Sequence, residues 1–85
     1  MLTFEDCLGL SELTEEEILA IAEHLHIPEM AALEMGNSLV HTPSGQKRIK
    51  RIILDDIAAA RKAGNVPHAA TLKLVLRHYC REHHV

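Results

Sequence analysis

The chain has 85 residues, a net charge of −3 and an aromatic content of only 2%. This length fits one small domain with a modest core. With Phe4 and Tyr79 as its only rings, the chain has almost nothing on which bases or sugars could stack, which argues against recognition by stacking.

Cysteine usage and the N-terminus suggest a location. Cys7 and Cys80 form no Cys-x-x-Cys pair and predict no disulfide framework, so we expect a reducing, cytoplasmic compartment. The N-terminus is acidic where a signal peptide is basic. No apolar run approaches the roughly 18–20 residues of a membrane span, and we expect no membrane partner.

Charge is divided sharply between the two halves of the chain. Residues 1–46 contain nine acids and no Lys or Arg, whereas residues 47–85 contain all nine bases and three acids. The halves therefore carry −9 and +6. Such asymmetry predicts that the two halves meet oppositely charged surfaces, either within one chain or between chains.

The first two predicted helices begin at caps. Thr3 can cap a short helix over 3–8. Thr14 is followed three residues later by Glu17, and this pair predicts a capping box that opens a second helix running to about His26. Both helices therefore begin at threonines whose hydroxyls can accept a main-chain hydrogen bond.

A third helix is predicted over roughly 28–40, with Pro28 in its first turn. Its apolar residues spread around most of its circumference: Met30, Ala31, Ala32, Leu33, Met35, Leu39 and Val40. A helix of this kind is either central in a core or placed at an interface.

Two further helices complete the chain. Thr42-Pro43 opens the fourth, and the sequence leaves open whether Ser44-Gly45 lies inside it or delays its start. Gly64 is placed to end this helix, and Asn65 can cap the fifth. Because only two or three residues join these helices, we expect them to pack as an antiparallel hairpin.

No segment alternates with the period of a strand, so the predicted fold class is all-α. We expect a single domain over 1–85. It is a small orthogonal or up-down bundle of four main helices, with an optional short N-terminal helix.

Four basic residues in five positions form the most conspicuous cluster: Lys47, Arg48, Lys50 and Arg51. On a helix they fan over a broad arc away from Ile49. Such a face can be solvated or paired with the acidic half, can receive a protein partner, or can bind nucleic-acid phosphates. We favour the first interpretation, followed by a protein partner and then nucleic acid.

The segment 22–31 resembles the helix-turn-helix of bacterial repressors, with His26 where the turn glycine usually lies. That resemblance implies a DNA-reading helix after the turn. The helix in question carries Glu29 and Glu34 and no Lys or Arg, so phosphates would repel it. We therefore predict that this helix does not read DNA.

The metal and catalytic motifs in this sequence are incomplete. Glu23-x-x-His26 matches half of a di-iron unit, but the second such unit is missing. The C-terminus gathers potential ligands without a known metal-binding spacing: His78, Cys80, His83 and His84. We predict no catalytic, cofactor or metal residues.

Asp56 is the one carboxylate that falls inside an apolar stripe, between Ile49, Ile52 and Ala60. A buried carboxylate needs a partner. We expect a structural bond to a His, a Lys or Arg, or a main-chain N–H, with an interface contact as the alternative. Its neighbour Asp55 points about 100° away, so the two do not form an acid/base pair.

These observations favour a small, non-enzymatic, bacterial-type protein-interaction or accessory domain, either homodimeric or bound to another protein. The predicted surface combines the basic cluster with two leucines that lie off their apolar stripes: Lys47, Arg48, Lys50, Arg51, Leu54 and Leu74. A nucleic-acid accessory protein that uses the 47–51 face, and a metal or small-ligand binder, are the alternatives.

Overall fold

A computed structural model describes residues 3–85 and shows five α-helices, with no strand in that range. Their bounds are α1 Phe4–Gly9, α2 Glu15–Leu25, α3 Glu29–Val40, α4 Pro43–Lys62 and α5 Val66–His83. The all-α prediction is therefore confirmed, with four substantial helices and a short first one. α4 is the hub of the bundle, because α2, α3 and α5 all pack against it.

The predicted caps form. Thr3 and Asp6 make a capping box at α1, and Thr14 and Glu17 make another at α2. α2 ends one residue before the predicted position. His26 itself adopts the left-handed conformation at φ 55°, as a turn glycine would.

Ser44 and Gly45 lie inside α4, which settles the point that the sequence left open. The hydroxyl of Thr42 accepts a hydrogen bond from the Gly45 amide at 3.0 Å. A Cβ on Gly45 would overlap the main chain of Leu39 at the end of α3. Glycine therefore lets the tight α3–α4 turn pack closely while the helix continues through it.

α4 and α5 form the predicted antiparallel hairpin. Gly64, at φ 76°, and Asn65 complete the turn between them, and Asn65 caps α5 through the amide of His68. At the far end of the hairpin, the Tyr79 hydroxyl of α5 donates to the main-chain oxygen of Gln46 in α4 at 2.7 Å.

The core is aliphatic and lies between the four longer helices. Its most deeply buried side chains are Ile18, Ile21, Leu33, Val40, Ile49, Ile53 and Tyr79. Leu33 and Val40 thus fit inside, and α3 leaves only Met30 and Met35 exposed among its large apolar residues. The excess apolar circumference of α3 is largely explained by its packing against both α2 and α4.

Candidate functional site

An apolar groove runs along the surface between α2 and α5, and we call it the α2–α5 groove. It forms because these two helices contact α4 more extensively than they contact each other. Residues of both helices line it: Glu16, Leu19 and Glu23 from α2, and Thr71, Leu74 and His78 from α5.

Two large side chains in this groove are open to solvent. Leu74 is 67% exposed and Leu19 is 39% exposed. Buried Leu72 and Val75 form part of the apolar lining beneath them. Contiguous exposed apolar surface with a polar rim is typical of a place where another surface binds.

The second predicted leucine, Leu54, is also exposed, at 39%. It lies on α4, outside the residues that line the α2–α5 groove. That Leu54 and Leu74 belong to one interaction surface stays a prediction. Leu74 faces toward α2, whereas Leu54 follows Lys47 and Arg51 along the outer side of α4.

The basic cluster forms an exposed face on α4, which together with Leu54 we call the α4 basic face. Lys47, Arg48 and Arg51 are exposed, and Lys50 is half-buried. The only ion pair that this face makes within residues 3–85 is between Arg51 Nε and Asp55 Oδ1, at 3.4 Å along the same helix. Such an exposed pair contributes little stability.

Within residues 3–85, the two oppositely charged halves do not neutralise each other. Within the described range, no Lys or Arg of the second half pairs with an acid of the first. The contacts between the halves use histidines instead: His68 Nε2 lies 2.9 Å from Glu23 Oε1, and His24 Nε2 lies 3.5 Å from Asp55 Oδ2. The acidic side of α2 and the α4 basic face both remain open to solvent.

A polar pocket of about 430 Å³ lies between α2 and α4, and we call it the Asp56 pocket. Its polar lining residues are Glu23, His24, His26, Asp55 and Asp56. Ala59 and Ala60 form its apolar wall. Glu23 also lines the α2–α5 groove, so this side chain borders both features.

Asp56 lacks the partner that a buried carboxylate was expected to have. It is only 5% exposed, yet its Oδ2 atom has no hydrogen-bond partner within residues 3–85. The nearby imidazole of His24 is directed to Asp55 instead, and the buried Nδ1 atom of His24 is also unpartnered. The expected structural bond to Asp56 is therefore wrong.

The environment of Asp56 disfavours its ionised form. The pKa of Asp56 is raised from 3.8 to about 6, chiefly by burial and next by the neighbouring Glu23 carboxylate. His24 and His68 act in the opposite direction, and Asp55 adds to the increase. Among residues 3–85, the pocket thus gathers three carboxyl groups, and two buried polar atoms of its lining residues, Asp56 Oδ2 and His24 Nδ1, have no hydrogen-bond partner.

Glu17 carries a second buried carboxylate. The sequence predicted only its role in the capping box of α2 and did not predict its burial. Its Oε1 atom accepts the Thr14 amide at 2.8 Å, while its buried Oε2 atom has no partner in the described range. Burial raises its pKa, which the Thr14 hydrogen bonds and the positions of His78 and His83 partly offset. The only available signal was its position beside the apolar stripe of α2.

The other potential metal ligands named in the sequence analysis do not lie around one point. Within the described part of the chain, no three His, Cys, Asp or Glu side chains are placed to hold one metal ion. Cys7 and Cys80 are free and half-buried. His83 packs its ring against Tyr79, with centroids 4.6 Å apart.

Comparisons with models of known protein families, with curated proteins and with solved structures found no match to this chain. None of the five helices between residues 3 and 85 combines the length and apolar character needed to cross a membrane.

Proposed function

We propose that this chain is a non-enzymatic protein-interaction module that assembles with copies of itself. The α2–α5 groove of one copy receives the α4 basic face of a second copy. The observation that carries this proposal is the coexistence of two exposed, complementary surfaces that the chain does not use internally: an acid-rimmed apolar groove and a basic helix face with an exposed leucine.

The shapes and charges of the two surfaces support this pairing. Lys47, Arg51 and Leu54 follow one another at helical spacing, so the α4 basic face presents an apolar side chain flanked by cations. The groove presents Leu74 with Glu16 and Glu23 on its α2 wall. Burying the exposed parts of Leu54 and Leu74 is worth about 1–2 kcal/mol each, and the opposite charges favour encounter in one orientation.

The proposed contact joins two different faces and is therefore heterologous. Copies joined in this way form a closed ring where the rotation closes and an open chain where it does not.

The free thiols of Cys7 and Cys80 and the absence of motifs for catalysis support a cytoplasmic, bacterial-type accessory role. No Ser, Thr or Cys hydroxyl or thiol hydrogen-bonds a His within residues 3–85.

Sedimentation velocity over a range of protein concentrations tests the proposal. We expect the natural chain to associate, and Leu74→Glu and Leu54→Glu each to leave the chain monomeric, because every contact needs one intact groove and one intact basic face. Leu10→Glu is the matched control, because Leu10 is 79% exposed and lies outside both surfaces. A natural chain that stays monomeric, or a Leu10→Glu variant that fails to associate, contradicts the proposal.

A mixing experiment distinguishes this contact from a symmetric one. The Leu74→Glu variant keeps a functional basic face, and the Leu54→Glu variant keeps a functional groove. Mixed in equal amounts, they should form a one-to-one dimer that grows no further. Failure of the mixture to associate rejects the groove-to-face pairing even if the natural chain self-associates.

Nucleic acid is the competing use of the α4 basic face, favoured by its unpaired cations. Retention of the monomeric Leu74→Glu variant on duplex DNA at physiological salt, with loss in a Lys47→Glu/Arg48→Glu double variant, would assign this face to nucleic acid. We expect only weak, salt-sensitive retention, because α4 offers few phosphate contacts.

A further inference from the structure

The Asp56 pocket has a chemistry that the proposed assembly does not use. Its two buried, unpartnered polar atoms are Asp56 Oδ2 and His24 Nδ1. Both can serve as acceptors: a carboxylate accepts, and His24 Nδ1 accepts when the Nε2–H of the same ring is directed to Asp55. No lining side chain other than the histidines can donate.

The negative charge of the pocket also favours a ligand that donates hydrogen bonds. Glu23, Asp55 and Asp56 contribute carboxyl groups from two helices. Arg51 offsets only Asp55, from the rim, at 3.4 Å. A ligand that satisfies these groups must be rich in donors, carry positive charge and have no acceptor of its own.

We propose that the Asp56 pocket binds a guanidinium group. A guanidinium is planar and presents five N–H donors in a fixed fork, which suits carboxylates approaching from α2 and α4. Ala59 and Ala60 form a small apolar wall against which its flat face can pack. The volume of about 430 Å³ lies within the range of small-molecule sites.

A metal ion is the less favoured occupant, because no three potential ligands in residues 3–85 are placed around one point. A guanidinium tolerates this spread, since its donors extend in several directions over a wider span than a metal's coordination sphere. If a chelator released a bound metal ion from the chain, and the NMR shifts caused by a guanidinium compound disappeared with that ion, the assignment would be overturned.

Methylguanidinium is the probe, and ¹³C NMR of the Asp56 carboxyl together with amide shifts is the readout. The experiment uses the full chain carrying Leu74→Glu, so that it does not depend on assembly. We expect saturable shifts at His24, Asp55 and Asp56, and a lower titration midpoint of Asp56 in the presence of the probe. N-methylurea, which has nearly the same shape without the charge, should produce none of these changes.

Variants locate the site. Asp56→Asn should weaken binding by at least about tenfold, because a charged partner is lost from a buried pair. Glu23→Gln, at an exposed position, gives the same direction of change without risk to the core. Glu12→Gln removes an exposed acid elsewhere and should leave binding unchanged. Equal binding of methylurea, or unchanged affinity in both pocket variants, overturns the proposal.

Two sources of the guanidinium group can be distinguished: a free guanidino compound and an arginine side chain of a second copy. Probe binding to the monomeric Leu74→Glu variant, with no shift at Asp56 when the natural chain assembles without probe, assigns a free guanidino compound. Shifts at Asp56 that appear only when the natural chain assembles, without probe, and disappear in the Arg48→Lys/Arg51→Lys variant assign an arginine side chain of a second copy. No shift in either condition rejects the pocket assignment, and the sedimentation result stands independently of it.

Discussion

The hydroxyl of Tyr79, near the C-terminal end of α5, donates to the main-chain oxygen of Gln46, near the N-terminal end of α4, at 2.7 Å. The Gln46 side chain in turn donates through Nε2 to the Val40 carbonyl of α3 at 3.0 Å. One fully buried ring therefore connects the last helix to the α3–α4 junction. Burial also raises the pKa of Tyr79 above its ordinary value, so the phenol stays protonated and able to donate at neutral pH.

Tyr79→Phe should destabilise the fold by about 1–2 kcal/mol, because the Gln46 carbonyl loses a partner in a buried setting while the ring packing is kept. Urea unfolding followed by circular dichroism measures the difference. Thr71→Val removes an exposed hydroxyl that donates to Pro67 O, and should cost much less. If both variants lost the same free energy of unfolding, the buried Tyr79 hydrogen bond would contribute no more than the exposed Thr71 hydrogen bond.

Gly45→Ala should destabilise the fold by about 1–3 kcal/mol or more, because the added methyl group would overlap the Leu39 main chain and rigid backbone cannot move aside cheaply. Gly9→Ala is the matched control. A Cβ at Gly9 meets open space, so that change should be neutral or slightly stabilising. Thermal unfolding of both variants tests the contrast, and similar melting temperatures would contradict it.

The stability of the fold should fall with rising pH through the titration of Asp56. Its pKa is about 6 in the folded chain and 3.8 ordinarily. The folded state therefore holds an extra proton between these values, and stability declines across this window. Below about pH 4 both states are protonated and Asp56 costs nothing, whereas above about pH 6 the cost is constant.

Asp56→Asn should therefore be more stable than the natural chain at pH 8, by about 1 kcal/mol after allowance for solvent screening in the open pocket. The advantage should vanish near pH 4. Glu23, His24 and His68 face Asp56 from α2 and α5, and Asp55 from its own helix, so their titration must be followed in parallel by NMR. A stability difference that is independent of pH would rule out Asp56 as the source.

Thr14→Ala should cost about 1 kcal/mol, because the Glu17 amide loses its capping acceptor at the start of a helix that carries core residues. Thr3→Ala removes the equivalent cap from α1, a six-residue helix with no buried residue. That helix can open locally, so global unfolding should hardly change. Hydrogen exchange separates local fraying of α1 from global loss.

Local signals predicted the elements well. The helix starts at Thr3, Thr14, Thr42 and Asn65 depend on contacts within three residues, and these operate in any fold. The sequence did not predict whether Ser44-Gly45 lies inside α4. Position 45 needs a glycine because the main chain of Leu39 approaches it closely, and the turn alone does not impose that need.

The candidate surfaces were predicted only in part. Leu54 and Leu74 lie off their apolar stripes, and both are exposed. The place of Leu74 in a groove beside α2 depends on the arrangement of α2, α4 and α5. The contact of Glu23 with His68 joins residues 45 positions apart, and no local pattern indicates it.

Sequence by itself determined that this chain is helical, where most helices begin and end, and how charge is divided along it, since each of these depends on neighbours in the chain. Only the tertiary structure decided that, within residues 3–85, no Lys or Arg of the second half pairs with an acid of the first, that Glu17 and Asp56 are buried with unpartnered oxygens, and that Leu74 lines a groove. Burial and pairing depend on which helices meet. That is set by packing around α4, over distances that the one-dimensional pattern does not encode.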